Sequence, residues 1–492
     1  MGVFGHALVF GLAPLLRRLA ALVLLPLYTH YLSPADYGEI ELLSIATGLA
    51  STVLQLELRQ GYLRAWVRAD PAGQGALFAS VVQLMAVLAT GGAVALFALA
   101  GPVSAWLLGR PISAMFAGVL AVGLFSEVLG SVFQATMQAQ LHSATSVVLG
   151  VGQFVVGAGL TVVGVVGFRL GPIGFFIGGA AAQLLVLVVM AGVAWRHAPP
   201  RRGPRMPLGP LVRYALPLLG AALLFFVVRT ADRVAVARLL SVAELGVYAM
   251  AWTLANMLMT AVFLPLQTSL EVWRHRMHAL ADGAAQFAEV HRRAMLVMGA
   301  AAAGLVTFGL DLFVAVSDRR FAGATALVPA LSVAVLLQAG YSVVASAFFV
   351  SGATARWAAL FAVAAAVQVG GSWGAVSVWG VAGAPVGIVA ANALLYAGAA
   401  WWGRALWPVP YRHGVVLALV LLLPAVAVLR RALPLDGAAL PVRLLADAGA
   451  CLSFAAAAYA LRLYGPTDVQ AVARAVQGRA LAGWHRLALL RG

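Results

Sequence analysis

The chain has 492 residues, of which 63% are hydrophobic and only 10% charged, with a mean hydropathy of +0.97. Soluble domains carry about 25% charged residues, so this composition excludes a water-soluble globular protein and specifies a polytopic membrane protein. The formal charge of +16 is built from arginine alone, because the chain has no lysine. A Walker A phosphate loop needs its lysine, so ATP is not the direct energy source within this chain.

In chain order the apolar runs are continuous and about 20 residues long, which favours helices over the alternating strands of a barrel. About fourteen spans are expected, beginning near residues 8, 40, 77, 112, 143, 171, 211, 241, 294, 324, 354, 381, 413 and 442. The first run is long and carries Arg17 and Arg18, so it does not read as a cleavable signal peptide. Residues 1–195 form a six-span lobe. Residues 196–210 form a cytoplasmic linker, with Pro199, Pro200, Arg201, Arg202, Gly203, Pro204 and Arg205 as its signature. A second six-span lobe covers 211–404, and two further spans lie in 405–463. The tail, 464–492, reads as a basic amphipathic helix: Thr467 caps it, Val469, Ala473, Val476 and Trp484 line one face, and Arg474, Arg479 and Arg486 are polar. It is expected to lie in the inner membrane interface.

Two patterns recur. Leu32-Ser33-Pro34-Ala35-Asp36-Tyr37-Gly38 is repeated as Leu240-Ser241-Val242-Ala243-Glu244-Leu245-Gly246, and Gly171, Gly174 and Gly178 are repeated as Gly380, Gly383 and Gly387. Two separated matches at nearly one offset point to a duplicated lobe. The expected fold class is therefore all-α, with two pseudo-symmetric six-helix bundles around a central cavity plus two extra C-terminal helices.

The arginines follow a topology and not a nucleic-acid footprint. With both termini inside, Arg59, Arg64, Arg68, Arg196, Arg201, Arg202, Arg205, Arg213, Arg274, Arg276, Arg292, Arg293, Arg356, Arg404, Arg412 and the arginines from Arg462 onward fall on inner loops. Outer loops hold fewer, among them Arg110, Arg169, Arg238, Arg319, Arg320, Arg430, Arg431 and Arg443. No HExxH, paired-carboxylate loop or GxSxG is present, the nine histidines fall in loops or at span ends, and connections are short. Those features argue against a membrane glycosyltransferase or ligase, and neither a metal site nor a cofactor is expected. The lone Cys451 forms no disulfide framework.

Ionisable residues inside spans are costly and default to function. Arg17 and Arg18 sit roughly 14 Å into the first span, at about 1.5 Å per residue. Arg229, Asp232 and Arg233 lie late in the seventh; Arg229 and Arg233 share a face, and Asp232 is placed to pair with Arg229. Glu57 and Arg59 fall near the inner end of the second span, either as a structural pair or as ion-coupling groups. Glu127, in the fourth, is either a proton-titrating site or an arginine's partner. Arginine forks suit phosphate oxygens, so Arg17, Arg18, Arg229 and Arg233 are the candidates for holding a diphosphate in a cavity.

The segment Arg17…Leu25-Pro26-Leu27-Tyr28…Tyr31-Leu32-Ser33-Pro34-Ala35-Asp36-Tyr37-Gly38 resembles the N-terminal signature of bacterial polysaccharide-biosynthesis flippases of the Wzx type. The stretch Tyr214-Ala215-Leu216-Pro217-Leu218-Leu219, then Asp232-Arg233, then Leu240-Ser241…Gly246-Val247-Tyr248 resembles that family's middle. The wider group is the multidrug/oligosaccharidyl-lipid/polysaccharide exporter superfamily. The resemblance implies a multi-pass protein of the bacterial inner membrane that is a transporter, not an enzyme. It implies a polyprenyl-diphosphate-linked oligosaccharide flipped to the outer leaflet by alternating access, for surface glycan synthesis. Implied partners are membrane lipids, a coupling ion (H+ or Na+), a polysaccharide polymerase and glycosyltransferases. A lipid II flippase and a multidrug/cation antiporter remain alternatives within the superfamily.

Overall fold

The computed structural model describes residues 24–140, 143–197, 206–433 and 439–465, and all regular secondary structure among them is helical. Hydrocarbon offers no partner for a backbone N–H or C=O, and a helix satisfies both within one segment. Residues 24–31 are helical (α1). They are followed by α2 (Pro34–Gln55), α3 (Leu58–Arg68), α4 (Pro71–Leu108), α5 (Ala114–Ala139), α6 (Ser143–Val162) and α7 (Pro172–His197). The second half holds α8 (Gly209–Leu239), α9 (Val242–Met257), α10 (Leu264–His278), α11 (Gly283–Gly304), α12 (Leu310–Val316), α13 (Ala324–Val344), α14 (Ser346–Val350), α15 (Thr354–Trp379) and α16 (Ala384–Gly403). It closes with α17 (His413–Ala432) and α18 (Leu440–Ala460).

Twelve stretches of the described residues are long and apolar enough to cross a membrane, and one of these, Thr354–Gly403, contains both α15 and α16. The expected first span, beginning near residue 8, lies outside the described residues, as do the core of the linker and the amphipathic tail.

Each lobe has its own core. In the first, Tyr62, Phe78, Met85 and Phe133 are buried where α5 packs on α4 and α7. In the second, α13 and α15 pack on α16, and the core runs without a break into α17 and α18 through Leu419, Leu423 and Phe454. The two extra helices therefore share the second lobe's core. Ion pairs fasten them: Arg430 binds both Asp311 and Asp447, and Arg292 Nη1 donates to the Leu463 carbonyl at 2.9 Å. Arg430 and Arg431 thus belong to the last turn of α17 and Arg443 to α18, not to outer loops. The sequence pattern misplaced them because a charge near a span end looks like a loop until a buried acid answers it.

The repeated motifs have a local physical reading. Ser33 N-caps α2: its Oγ accepts from Asp36 N at 3.1 Å while Asp36 Oδ2 accepts from Ser33 N at 2.9 Å, a capping box. Ser241 also N-caps α9, its Oγ accepting from Glu244 N at 3.1 Å, without the reciprocal backbone bond that completes the box at Ser33. The glycine triplets also match in role. Gly171 and Gly380 are both left-handed, at φ 59° and 60°. Gly174 lies against Gly164 on the preceding segment and Gly383 against Ala375; Gly178 meets Thr161 and Gly387 meets Ser372, with no room for a Cβ. Close helix approach through small residues is the membrane packing rule. Several hydroxyls inside the spans are quenched on their own helices, as when Thr47 Oγ1 donates to Leu43 O at 2.8 Å and Thr230 Oγ1 to Phe226 O at 2.8 Å.

Candidate functional site

The first functional element is the seam between the lobes, where α2 packs on α9 and α8. A Cβ on Gly38 would collide with the Val242 carbonyl, and one on Gly246 with the Pro34 carbonyl. The contact is reciprocal, since corresponding residues of the two motif copies exchange places across it. Both copies therefore lie on one membrane face. Tyr37 Oη is 3.3 Å from Thr253 Oγ1, and Arg320 Nη2 donates to the Thr29 and His30 carbonyls at 3.4 and 3.3 Å. In the loop bearing Arg320, its side-chain hydrogen bond holds the Asp318 carboxyl below the usual range. Arg238 lies over the Trp106 ring at 3.5 Å. This side of the molecule is closed between the lobes.

Behind the seam sits a charged network. Asp232 is fully buried, and its Oδ2 accepts from Tyr248 Oη at 2.5 Å and from Trp252 Nε1 at 2.8 Å. Arg233 Nε lies 2.9 Å from Glu41 Oε1, its Nη1 donates to the Arg229 carbonyl at 2.8 Å, and its guanidinium stacks on Trp252 at 5.0 Å. Arg233 therefore bridges α8 to α2 in this conformation and is held by Glu41, the Arg229 carbonyl and the Trp252 ring. Its acid, Glu41, carries no sequence signal of its own, because a glutamate near a helix start is ordinary.

The second element lies inside the first lobe. Leu56 and Glu57 are consecutive left-handed residues, at φ 50° and 51°, and they divide α2 from α3. Such positions cost about 1–3 kcal/mol each and persist where the surroundings enforce them. Arg59 donates Nε and Nη2 to Gln138 Oε1 at 3.1 and 2.8 Å, so it does not form the expected pair with Glu57; the two flank a cavity of about 150 Å³. Next to it, Glu127 faces a polar cavity of about 230 Å³ with Gln55, Gln134, Gln153 and Gln183. Ser51 Oγ donates to Glu127 Oε1 at 2.8 Å and Gln55 Nε2 to Ser51 Oγ at 2.7 Å. Of the two expected alternatives for Glu127, an arginine partner has no contact here.

The third element is a cavity of about 670 Å³ in the second lobe. Arg229 on α8 and Arg274 and Glu271 on α10 line it, with Phe225, Phe263, Tyr341, Phe349, Trp357 and Phe361 as aromatic walls. Its α9–α10 wall is the π-helical segment Leu258–Phe263, a local widening of the kind that recurs at functional sites. Arg229 stacks on Phe225 at 5.5 Å and Arg274 on Phe349 at 4.6 Å. Burial lowers the Arg274 pKa and Glu271 offsets part of that. Arg274 had no intramembrane signature in the sequence, because it follows the apolar run that ends at Gln267. Arg17 and Arg18 lie outside the described residues.

Among the described residues the chain is thus an all-helical protein of membrane-crossing length and composition, with a tight glycine seam and with polar and cationic cavities to either side of it. Residues 29–271 match the model of a family described as polysaccharide biosynthesis protein. Among solved structures, the fold is similar to the lipid II flippase MurJ in an inward closed conformation. That match has a TM-score of 0.74 at 8% identity, covering 92% of this chain and 99% of that one. It is also similar to an inward-facing multidrug resistance MATE family transporter of the MOP superfamily (TM-score 0.65, 16% identity, 81% and 94% covered) and to a MOP superfamily transporter from Pyrococcus furiosus (TM-score 0.56, 15%, 81% and 95%). Among curated proteins no sequence matches. The expected resemblance is borne out at the level of the match: residues 29–271 fit the polysaccharide biosynthesis model, and the fold is similar to those of MurJ and of the MATE family transporter.

Proposed function

We propose that this protein is a flippase that carries a polyprenyl-diphosphate-linked oligosaccharide from the cytoplasmic to the outer leaflet of the bacterial inner membrane by alternating access. The observation that carries the reading is the second-lobe cavity, where two arginines converge between aromatic walls. Guanidinium forks bind phosphate oxygens bidentately, and aromatic faces receive sugar rings or isoprenoid chain. Arg229 and Arg274 hold the diphosphate, with Arg17 and Arg18 as further ligands on the first span. Arg233 and Glu41 belong to the seam that must part for release. Glu127, lacking any arginine partner and ringed by amide and hydroxyl groups, is the group that takes up H+ or Na+. A polymerase and glycosyltransferases act beside it, and both termini face the cytoplasm. The likeness to MurJ favours lipid II as the alternative passenger, since that too is a lipid diphosphate.

The test is translocation in proteoliposomes, with a lipid-diphosphate oligosaccharide and lipid II offered in parallel. A charge-assisted hydrogen bond contributes about 1.5–3 kcal/mol, so Arg229→Gln/Arg274→Gln should lower apparent affinity by roughly a hundredfold. Arg17→Gln/Arg18→Gln should do the same while leaving the protein folded. Unchanged translocation in both double variants, or transport of organic cations alone, removes the diphosphate reading.

A further inference from the structure

Outside these cavities lies a groove of about 450 Å³ on the face opposite the Ser33 and Ser241 caps, between α3 of the first lobe and the start of α8 of the second. The helices touch at Gly61, where a Cβ would come within 2.8 Å of Leu211 Cδ1. One turn further on, Arg64 stacks on the Tyr214 ring at 5.2 Å, and beyond it the walls part. Leu77, Pro207 and Leu211 supply an apolar floor, and the two prolines at 207 and 210 present no N–H donor. Arg64 and Arg68, i and i+4 on α3, stand together on the rim. Both are exposed, and no described acid pairs with either.

We propose that this groove is a binding site for an anionic membrane phospholipid, with the headgroup phosphate on Arg64 and Arg68 and an acyl chain along the floor. The two halves of the site match the two halves of that ligand and of no soluble anion, which would leave the floor wet. The location matches as well. The groove opens at the end of membrane helices, beside the arginine-rich inner-loop sequence around Arg196 and Arg213, where the arginine bias puts the cytoplasmic leaflet and its anionic lipids. A lipid seated there touches both lobes at the end opposite the closed seam, so it tunes how readily that end opens. The inference does not depend on what the protein transports.

The test is native mass spectrometry of the full-length protein released from bilayers of equal phosphatidylglycerol and phosphatidylcholine. The wild type should retain phosphatidylglycerol selectively, and inorganic phosphate should not displace it. Each arginine near the surface contributes on the order of a few-fold to tenfold, so Arg64→Gln/Arg68→Gln should cut retention by roughly tenfold or more. Arg64→Lys/Arg68→Lys should keep part of it, which guards against a folding artefact. Ala65→Trp, which fills the groove and leaves both arginines, should also lose the lipid, and Arg356→Gln, exposed in the first turn of α15, should not. Equal retention of both lipids, an equal loss in Arg356→Gln, displacement by phosphate, or, with polyprenyl phosphate added to the bilayer in equal amount, its retention in place of phosphatidylglycerol each overturns the assignment.

Discussion

At the scale of single residues the most informative pair is Glu41 with Arg233, because it joins the lobes through charge in a low-dielectric setting. Their side chains are 25% and 13% exposed, so neither is freely solvated. Removing one partner of a buried ion pair costs about 3–5 kcal/mol, chiefly because the other charge is stranded, whereas removing both is often close to neutral. Glu41→Gln alone should therefore destabilise the state closed at this seam more than Glu41→Gln/Arg233→Gln does. A double-mutant cycle on thermal unfolding in detergent measures it; additive effects of the two single changes would show that the contact carries no coupling. Asp232 contrasts with this. It accepts from Tyr248 and Trp252 within its own lobe, so Asp232→Asn should disturb the second lobe and leave the interlobe contact standing.

At the scale of elements, the repeated serine–acid–glycine pattern serves two purposes at once. Serine and acid start a helix, and glycine lets that helix meet its counterpart. Because the Gly38 and Gly246 contacts are made to backbone carbonyls, which cannot rotate away as a side chain can, Gly38→Val/Gly246→Val should keep the lobes from closing on that face. In a Cys451→Ala background, a cysteine replacing Val247 should then react faster with a membrane-impermeant maleimide. An unchanged rate would mean that the seam does not gate access. The interlobe helices were only partly legible beforehand. The caps at Ser33 and Ser241 could be read from residue types, but the partner of each glycine could not, because the two motif copies are distant in the chain and meet only after both lobes have formed.

At the scale of the whole molecule, the arginine bias predicts the orientation, and twelve stretches of the described residues are long and apolar enough to cross a membrane. Reporter fusions after residues 205 and 480 should both report a cytoplasmic location; a periplasmic signal at either would overturn the inward placement of the termini. Composition alone determined that the chain lives in a membrane and is helical, since apolar runs of that length leave the backbone no other way to pair its polar groups. Local sequence also determined the helix caps at Ser33 and Ser241, whose physics acts over a few residues. Tertiary structure alone decided which charge meets which: Arg233 takes Glu41, Arg59 takes Gln138, and Arg430 takes Asp311 and Asp447. The reason is that a buried charge must find a partner within a few ångströms, and in a helical membrane protein that partner usually stands on a different helix. Spacing along the chain gives no measure of that distance.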